Sequence, residues 1–211
     1  WQWNGHGDPE RAGDARHIRY TYDALGQLVQ AEDPLGGLSR YGYDAAGRLV
    51  SITDALDRTR TITYDAAGRI VRQVDALGGE TVYTYDAAGQ MTSVTDAAGS
   101  TTSYAYDYAG RVMSVTDPLG RTQGFTWGNE GQLLARTDAR GDTVKITNDG
   151  LGRPTALSYP GGQTWHIAYD ASGRVTAISD ETLTRTYHRD VAGRVLQVTD
   201  IRPGRTASVS Y

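Results

Sequence analysis

A Tyr-Asp-x-x-Gly motif recurs along this chain at a fixed period, and that period restricts the possible folds more than any other feature. Its glycine stands at Gly26, Gly47, Gly68, Gly89, Gly110, Gly131, Gly152, Gly173 and Gly193, a spacing of 21 residues seven times and then 20. Four residues before each glycine come Tyr22, Tyr43, Tyr64, Tyr85, Tyr106, Trp127, Asn148, Tyr169 and Arg189. Self-similarity this regular marks a repeat architecture, in which each unit packs only against its neighbours. Gly5 lies 21 residues before Gly26, with Trp1 at the tyrosine position. Residues 1–211 therefore read as one array: a degenerate first repeat over 1–19 and about nine repeats over 20–211.

Each unit carries two turn signals, which makes it a hairpin rather than a strand followed by a helix. The first is the motif itself, as in Asp44–Gly47, Asp65–Gly68, Asp86–Gly89, Asp107–Gly110 and Asp170–Gly173. Asp suits the first position of a type I turn and Gly the left-handed position that follows. The second falls about ten residues later, as in Asp33-Pro34-Leu35-Gly36, Asp75-Ala76-Leu77-Gly78 and Asp117-Pro118-Leu119-Gly120, where proline presets φ and cannot donate to a ladder. Two turns per 21 residues leave strands of about 5 to 7 residues, the usual length. Three places depart from the pattern: Asp57 at a turn-glycine position, Tyr159-Pro160-Gly161-Gly162 in place of a second turn, and residues 7–17.

Alternation agrees with strands. Two residues before the tyrosine position stand Tyr41, Ile62, Tyr83, Tyr104, Phe125, Ile146, Ile167 and Tyr187, so these side chains share a face with the motif tyrosines. Ser, Thr, Arg and Gln occupy the intervening positions. Tyr41, Tyr43, Tyr64, Tyr83, Tyr85, Tyr104 and Tyr106 are thus candidates for an aromatic inner face, opposite a polar one. The expected fold is all-β, a meander of about 18 antiparallel strands. Open twisted sheets seldom exceed about ten strands without curling, so such a sheet is expected to curve with its aromatic face inward.

Composition narrows the function classes. Lys and Arg total 21 against 25 Asp and Glu, a formal charge of −4 with no basic block, which argues against a nucleic-acid partner. The chain has no Cys, so it holds neither disulfides nor thiolate metal sites. No apolar run approaches the roughly 18–20 residues of a membrane span, and no charged-then-apolar signal segment opens the sequence. The chain begins at Trp1 and ends at Tyr211 inside its own pattern, and reads as a piece of something longer.

Tyr43-Asp44-Ala45-Ala46-Gly47-Arg48-Leu49, Tyr64-Asp65-Ala66-Ala67-Gly68-Arg69-Ile70 and Tyr169-Asp170-Ala171-Ser172-Gly173-Arg174-Val175 resemble the YD repeats of Rhs proteins. Insecticidal toxin complex C components and teneurins carry related repeats. The resemblance implies a β-strand spiral wound into a hollow cocoon around a C-terminal toxin domain, with toxin release by autoproteolysis. It further implies a bacterial effector made in the cytoplasm and exported, in many cases by type VI secretion. The implied partners are the remaining repeats, the enclosed toxin, and possible spike (VgrG-like) and chaperone proteins. No counterpart of the family's cleavage motif occurs before Tyr211. The alternative reading is an adhesive module on the cell surface that binds glycans or proteins.

Nothing in the sequence points to an enzyme or a cofactor. Turn capping accounts for the repeated aspartates Asp23, Asp44, Asp65, Asp86, Asp107, Asp149 and Asp170 without a metal, since the short Gly-Asp period of calcium β-rolls is absent. Arg48, Arg69, Arg111, Arg153, Arg174 and Arg194 follow the turn glycine and are expected to pair across strands with acidic neighbours, anion or glycan binding being the other reading. His6, His17, His166 and His188 share no spacing and have no nucleophile beside them.

Overall fold

The computed structural model describes residues 17–211. The degenerate repeat expected over residues 1–19 lies outside them but for its last three residues. The described residues form nineteen strands and no helix. They fall into two units, the first ending at Thr101 and the second running from Thr102 to Tyr211.

In the first unit β1 (Arg19–Tyr22), β2 (Leu28–Glu32), β3 (Leu38–Tyr43), β4 (Leu49–Thr53), β5 (Thr59–Tyr64), β6 (Ile70–Val74), β7 (Glu80–Tyr85) and β8 (Met91–Thr95) pair in sequence order, every pair antiparallel. β9 (Thr101–Tyr106) opens the second meander. It continues through β10 (Val112–Thr116), β11 (Thr122–Trp127), β12 (Leu133–Thr137), β13 (Thr143–Asn148), β14 (Pro154–Ser158), β15 (Thr164–Tyr169), β16 (Val175–Ser179), β17 (Thr184–Arg189), β18 (Val195–Arg202) and β19 (Arg205–Ser210). The expected all-β meander is present.

Nearly every corner has one geometry. The N–H of Asp44 donates to the carbonyl of Arg48 at 2.9 Å, and that of Gly47 to the carbonyl of Asp44 at 2.9 Å. This is a type I turn closed by one left-handed residue, a standard three-residue hairpin connection. Gly47 and Gly68 sit there at φ +79° and +82°, where a Cβ is strained. Tyr159–Gly162 keeps the same two hydrogen bonds despite its irregular sequence.

Asp57 is the one non-glycine residue with positive φ among those described, at +56°. Asp tolerates this region better than most residues but remains strained there. Its ion pair with Arg40, at 3.1 Å and with 50% and 85% of the two side chains exposed, contributes little. Asp57→Gly is therefore expected to stabilise the chain by about 0.5–1 kcal/mol, read as a rise in thermal midpoint.

Two corners depart from this geometry. The N–H of Asp180 reaches the carbonyl of Leu183, three residues on rather than four. That corner is one residue short and lacks a left-handed glycine, which accounts for the final spacing of 20. The sequence pattern also hides β19: Pro203-Gly204, with Gly204 at φ +72°, joins β18 to β19 through a two-residue loop without the usual aspartate. The described residues thus hold nineteen strands, the expected eighteen or so with β19 added.

A second feature escaped the alternation argument. The register slips by one residue beside each motif corner, as between Gly42 and Tyr43, Thr63 and Tyr64, and Thr84 and Tyr85. These bulges place Tyr43 opposite Leu49 rather than opposite a strictly alternating partner.

Row by row, one face reads Tyr41–Ile52–Arg60, then Ile62–Gln73–Thr81, then Tyr83–Val94. The other reads Gly42–Ser51–Thr61, then Thr63–Arg72–Val82. One face is therefore richer in aromatics, with polar side chains interspersed. No hydrophobic side chain among the described residues is fully buried. A single sheet layer has no second layer to exclude water from it.

Candidate functional site

The chemistry of the chain is concentrated at the motif corner, where two backbone N–H groups and a guanidinium converge on one carboxylate. Oδ1 of Asp44 accepts the N–H of Ala46 at 2.9 Å and of Arg48 at 3.0 Å, while Oδ2 accepts Nε of Arg48 at 2.7 Å. The same bonds recur at Asp65, Asp107, Asp149 and Asp170 with Arg69, Arg111, Arg153 and Arg174. Asp86 accepts the N–H of Gln90. Each of these arginines is thus held by the aspartate of its own corner, four residues back, and not by an acid on a neighbouring strand.

The arginine then reaches the next repeat. Nη1 of Arg48 donates to the carbonyl of Asp65 at 3.2 Å, and its guanidinium lies 4.7 Å from the ring centre of Tyr64. Arg69 treats Asp86 and Tyr85 in the same way, and Arg111 treats Gly128 and Trp127 so. Arg153 lies 4.6 Å from the Tyr169 ring. The aromatic side chain returns the contact: Tyr64 Oη donates to the carbonyl of Leu49 at 2.9 Å. Ladder pairing between β4 and β5 runs only from Thr53–Thr59 to Ser51–Thr61. The tyrosine hydroxyl therefore serves a carbonyl beyond that ladder, at the open end of the hairpin.

This reciprocal clasp explains the variability of the tyrosine position. Tyr43, Tyr85 and Tyr169 donate to the carbonyls of Leu28, Ile70 and Pro154. Trp127 does so through Nε1 to Val112 at 2.8 Å, and Asn148 through Nδ2 to Leu133 at 3.0 Å. The position requires a donor at the tip of a side chain, not a phenol. Sequence reading missed this role because donor capacity does not appear in an apolar–polar pattern.

A second recurring contact was also missed. Thr53 and Thr59, Thr95 and Thr101, Thr116 and Thr122, and Thr137 and Thr143 pair their hydroxyls at 2.8–2.9 Å across the mouth of the second corner. Its signal is legible in retrospect as Thr-Asp-x-x-x-x-Thr. Of the remaining candidates, Tyr41, Tyr83 and Tyr104 stand mid-strand opposite Ile52, Val94 and Val115, with Tyr83 also donating to Gln73 at 3.1 Å. Tyr106 closes β9, and Gly89, Gly110 and Gly173 occupy left-handed corners. His166 and His188 are exposed on separate strands, and His6 lies outside the described residues.

The corner hydrogen bonds favour ionised carboxylates. The backbone N–H and guanidinium of Arg48 hold Asp44 below the usual carboxylate range, and those of Arg69 do the same for Asp65. At Asp107 and Asp149 the arginine side chain leads and its N–H follows. The N–H of Thr182, aided by Gln163, brings Asp180 down to about 2. A carboxylate depressed in the folded state contributes stability above its unfolded value near 3.8, and that contribution disappears as pH falls through the folded value. The chain is expected to keep constant stability from neutral pH down to about 4 and to lose it as pH falls on toward about 2. Circular dichroism across an acid titration reads this directly.

The family model for the RHS Repeat matches residues 22–59, 64–101, 88–122, 106–143, 149–182 and 169–207. The chain belongs to the RHS repeat family. No curated protein matches it. Among solved structures, this RHS array is similar to a chain of the TcdB2-TccC3-Cdc42 crystal structure, at 17% identity over 92% of its length and with a TM-score of 0.56. It is likewise similar to a chain of the Photorhabdus luminescens Tc holotoxin pore carrying TccC3-D651A, at 17% identity over 99% of its length and a TM-score of 0.55. The crystal structure of TcdB2-TccC3 gives 17% identity, 92% coverage and 0.53. At this identity the likeness is one of fold. The array spans only 14–15% of the length of these chains.

Proposed function

We propose that this chain is a wall segment of an Rhs shell that encloses a C-terminal toxin domain of an exported bacterial effector, and that it performs no catalytic step itself. The observation that carries the reading is the single sheet layer in which no described hydrophobic side chain is fully buried, built from hairpins joined by donor bonds from Tyr43, Tyr64, Tyr85, Trp127, Asn148 and Tyr169 to the preceding strand. Such a layer separates two spaces, and its aromatic-rich face suits many weak contacts with an enclosed chain. The corner aspartates support it too: their oxygens are occupied by N–H and guanidinium donors, which suits a structural carboxylate rather than an acid–base group. Its partners are then the remaining repeats and the enclosed domain. The reading does not depend on whether type VI secretion or another route exports the effector.

The test uses the full-length protein. Substituting His166, His188, Asp65 or Asp107 singly is expected to abolish no turnover. The enclosed domain is expected to stay protected from added protease while the shell is intact. A single His or Asp substitution that eliminates a turnover with the shell intact would make the chain an enzyme. Protease access to the domain in the intact wild type would instead favour an adhesive surface module.

A further inference from the structure

We propose that the junction between β16 and β17 is a built-in opening point of the second unit, the place where its meander parts first. At every other hairpin for which the contact is described, a side chain at the motif position donates to a carbonyl at the start of the preceding strand. Tyr169 does this for Pro154, and Asn148 for Leu133. The corresponding carbonyl at the β16–β17 junction belongs to Val175, and the motif position holds Arg189. Arg189 turns away: its Nη1 donates to the carbonyl of Gly193, in its own corner, at 3.2 Å. The Nε of Arg189 is buried without a hydrogen-bond partner, a costly state for a charged group.

The other half of the clasp is lost for the same reason. Arg153 stacks over the Tyr169 ring at 4.6 Å, whereas the equivalent arginine, Arg174, has Arg189 and no ring at the motif position of the next strand. Both cations converge on one corner: Arg174 Nη1 lies 2.5 Å from where a Cβ on Gly193 would stand, and Arg189 holds the Gly193 carbonyl. Arg174 is neutralised by Asp170, and Asp190 is taken by Arg194, so no carboxylate is left for Arg189. Arg189 instead lies 5.8 Å from the ring centre of Tyr187, two residues away on its own strand, so the cation–ring contact that joins β14 to β15 has no counterpart between β16 and β17.

The far end of this hairpin is also the irregular one. The Asp180–Leu183 corner is a residue short, with Asp180 serving the N–H groups of both Thr182 and Leu183. Only three register pairs, Ala177–Thr186, Ile178–Arg185 and Ser179–Thr184, join the two strands. The equivalent junctions β14–β15 and β12–β13 have three as well, but there Tyr169 and Asn148 add their donor bonds. Opening here would release two strand edges at once, and such edges are prone to pair with other chains.

Hydrogen–deuterium exchange of the full-length protein, resolved by segment, tests this independently of the shell reading. Amides of residues 176–177 and 186–189 are expected to exchange about tenfold or more faster than those of 155–156 and 166–169. Arg189→Tyr restores a donor for Val175 and a ring for Arg174, and is expected to remove the difference. Tyr169→Arg is expected to create the same weakness between β14 and β15, which keeps the test open if the first variant misfolds. Equal protection at both junctions in the wild type overturns the proposal. So does Tyr169→Arg with unchanged exchange between β14 and β15.

Discussion

Gly68→Val is expected to lower the unfolding midpoint of the array by about 4–8 °C, the equivalent of about 2 kcal/mol at this size. The cause is the backbone and not crowding. Gly68 sits at φ +82°, while the nearest atom to a Cβ there, Arg48 Nη1, is an ordinary 3.7 Å away. A β-branched side chain in the left-handed region must either accept that strain or move the corner, and moving it breaks the Gly68–Asp65 and Asp65–Arg69 backbone bonds that close the hairpin. Gly89→Val, at φ +86°, is expected to behave alike. Gly150→Val is the control: nothing lies within 4 Å of its Cβ and its φ is not in the left-handed range, so the midpoint is expected to stay within about 2 °C of wild type. Equal losses at Gly68 and Gly150 would mean that bulk at the rim, not φ, sets the cost.

The second large effect belongs to the clasp. Tyr64→Phe leaves the Leu49 carbonyl without its donor and is expected to cost about 1 kcal/mol. Arg48→Ala removes the Asp44 ion pair, the bond to the Asp65 carbonyl and the contact with the Tyr64 ring together. Because Arg48 and Tyr64 touch, their losses are not additive, and a double-mutant cycle is expected to return a coupling of about 0.5–1 kcal/mol. The same cycle on Arg48 and Tyr85, two repeats apart, is expected to return none beyond about 0.3–0.5 kcal/mol. Repeat arrays behave as sums of unit and nearest-neighbour contributions, and the clasp is a nearest-neighbour contribution with named atoms.

The sequence carried the corners and the strands because both are local. Asp at the first turn position and Gly at the left-handed one are selected by the backbone within five residues, so Asp44–Gly47 and its equivalents were readable directly. Even the mismatch at Asp57 marked a place of strain. Features that join one repeat to the next were harder to read. The partner of Arg48 is set by the bulge beside Tyr43 and by the spacing of hairpins, neither of which alternation records. β19 was invisible for a related reason: Pro203-Gly204 turns the chain with chemistry unlike that of the other corners. Trp127, Asn148 and Arg189 look equally degenerate as letters, yet the first two donate to the preceding strand and the third donates into its own corner.

The most direct test of the proposed wall role is the structure of the full-length protein, with solvent accessibility resolved on each face. The expected result is an enclosed space lined by the face that bears Tyr41, Ile62 and Tyr83, with a separate folded domain or unfolded chain inside it. Those side chains facing bulk solvent on the outer surface, or a sheet that encloses nothing, would contradict it.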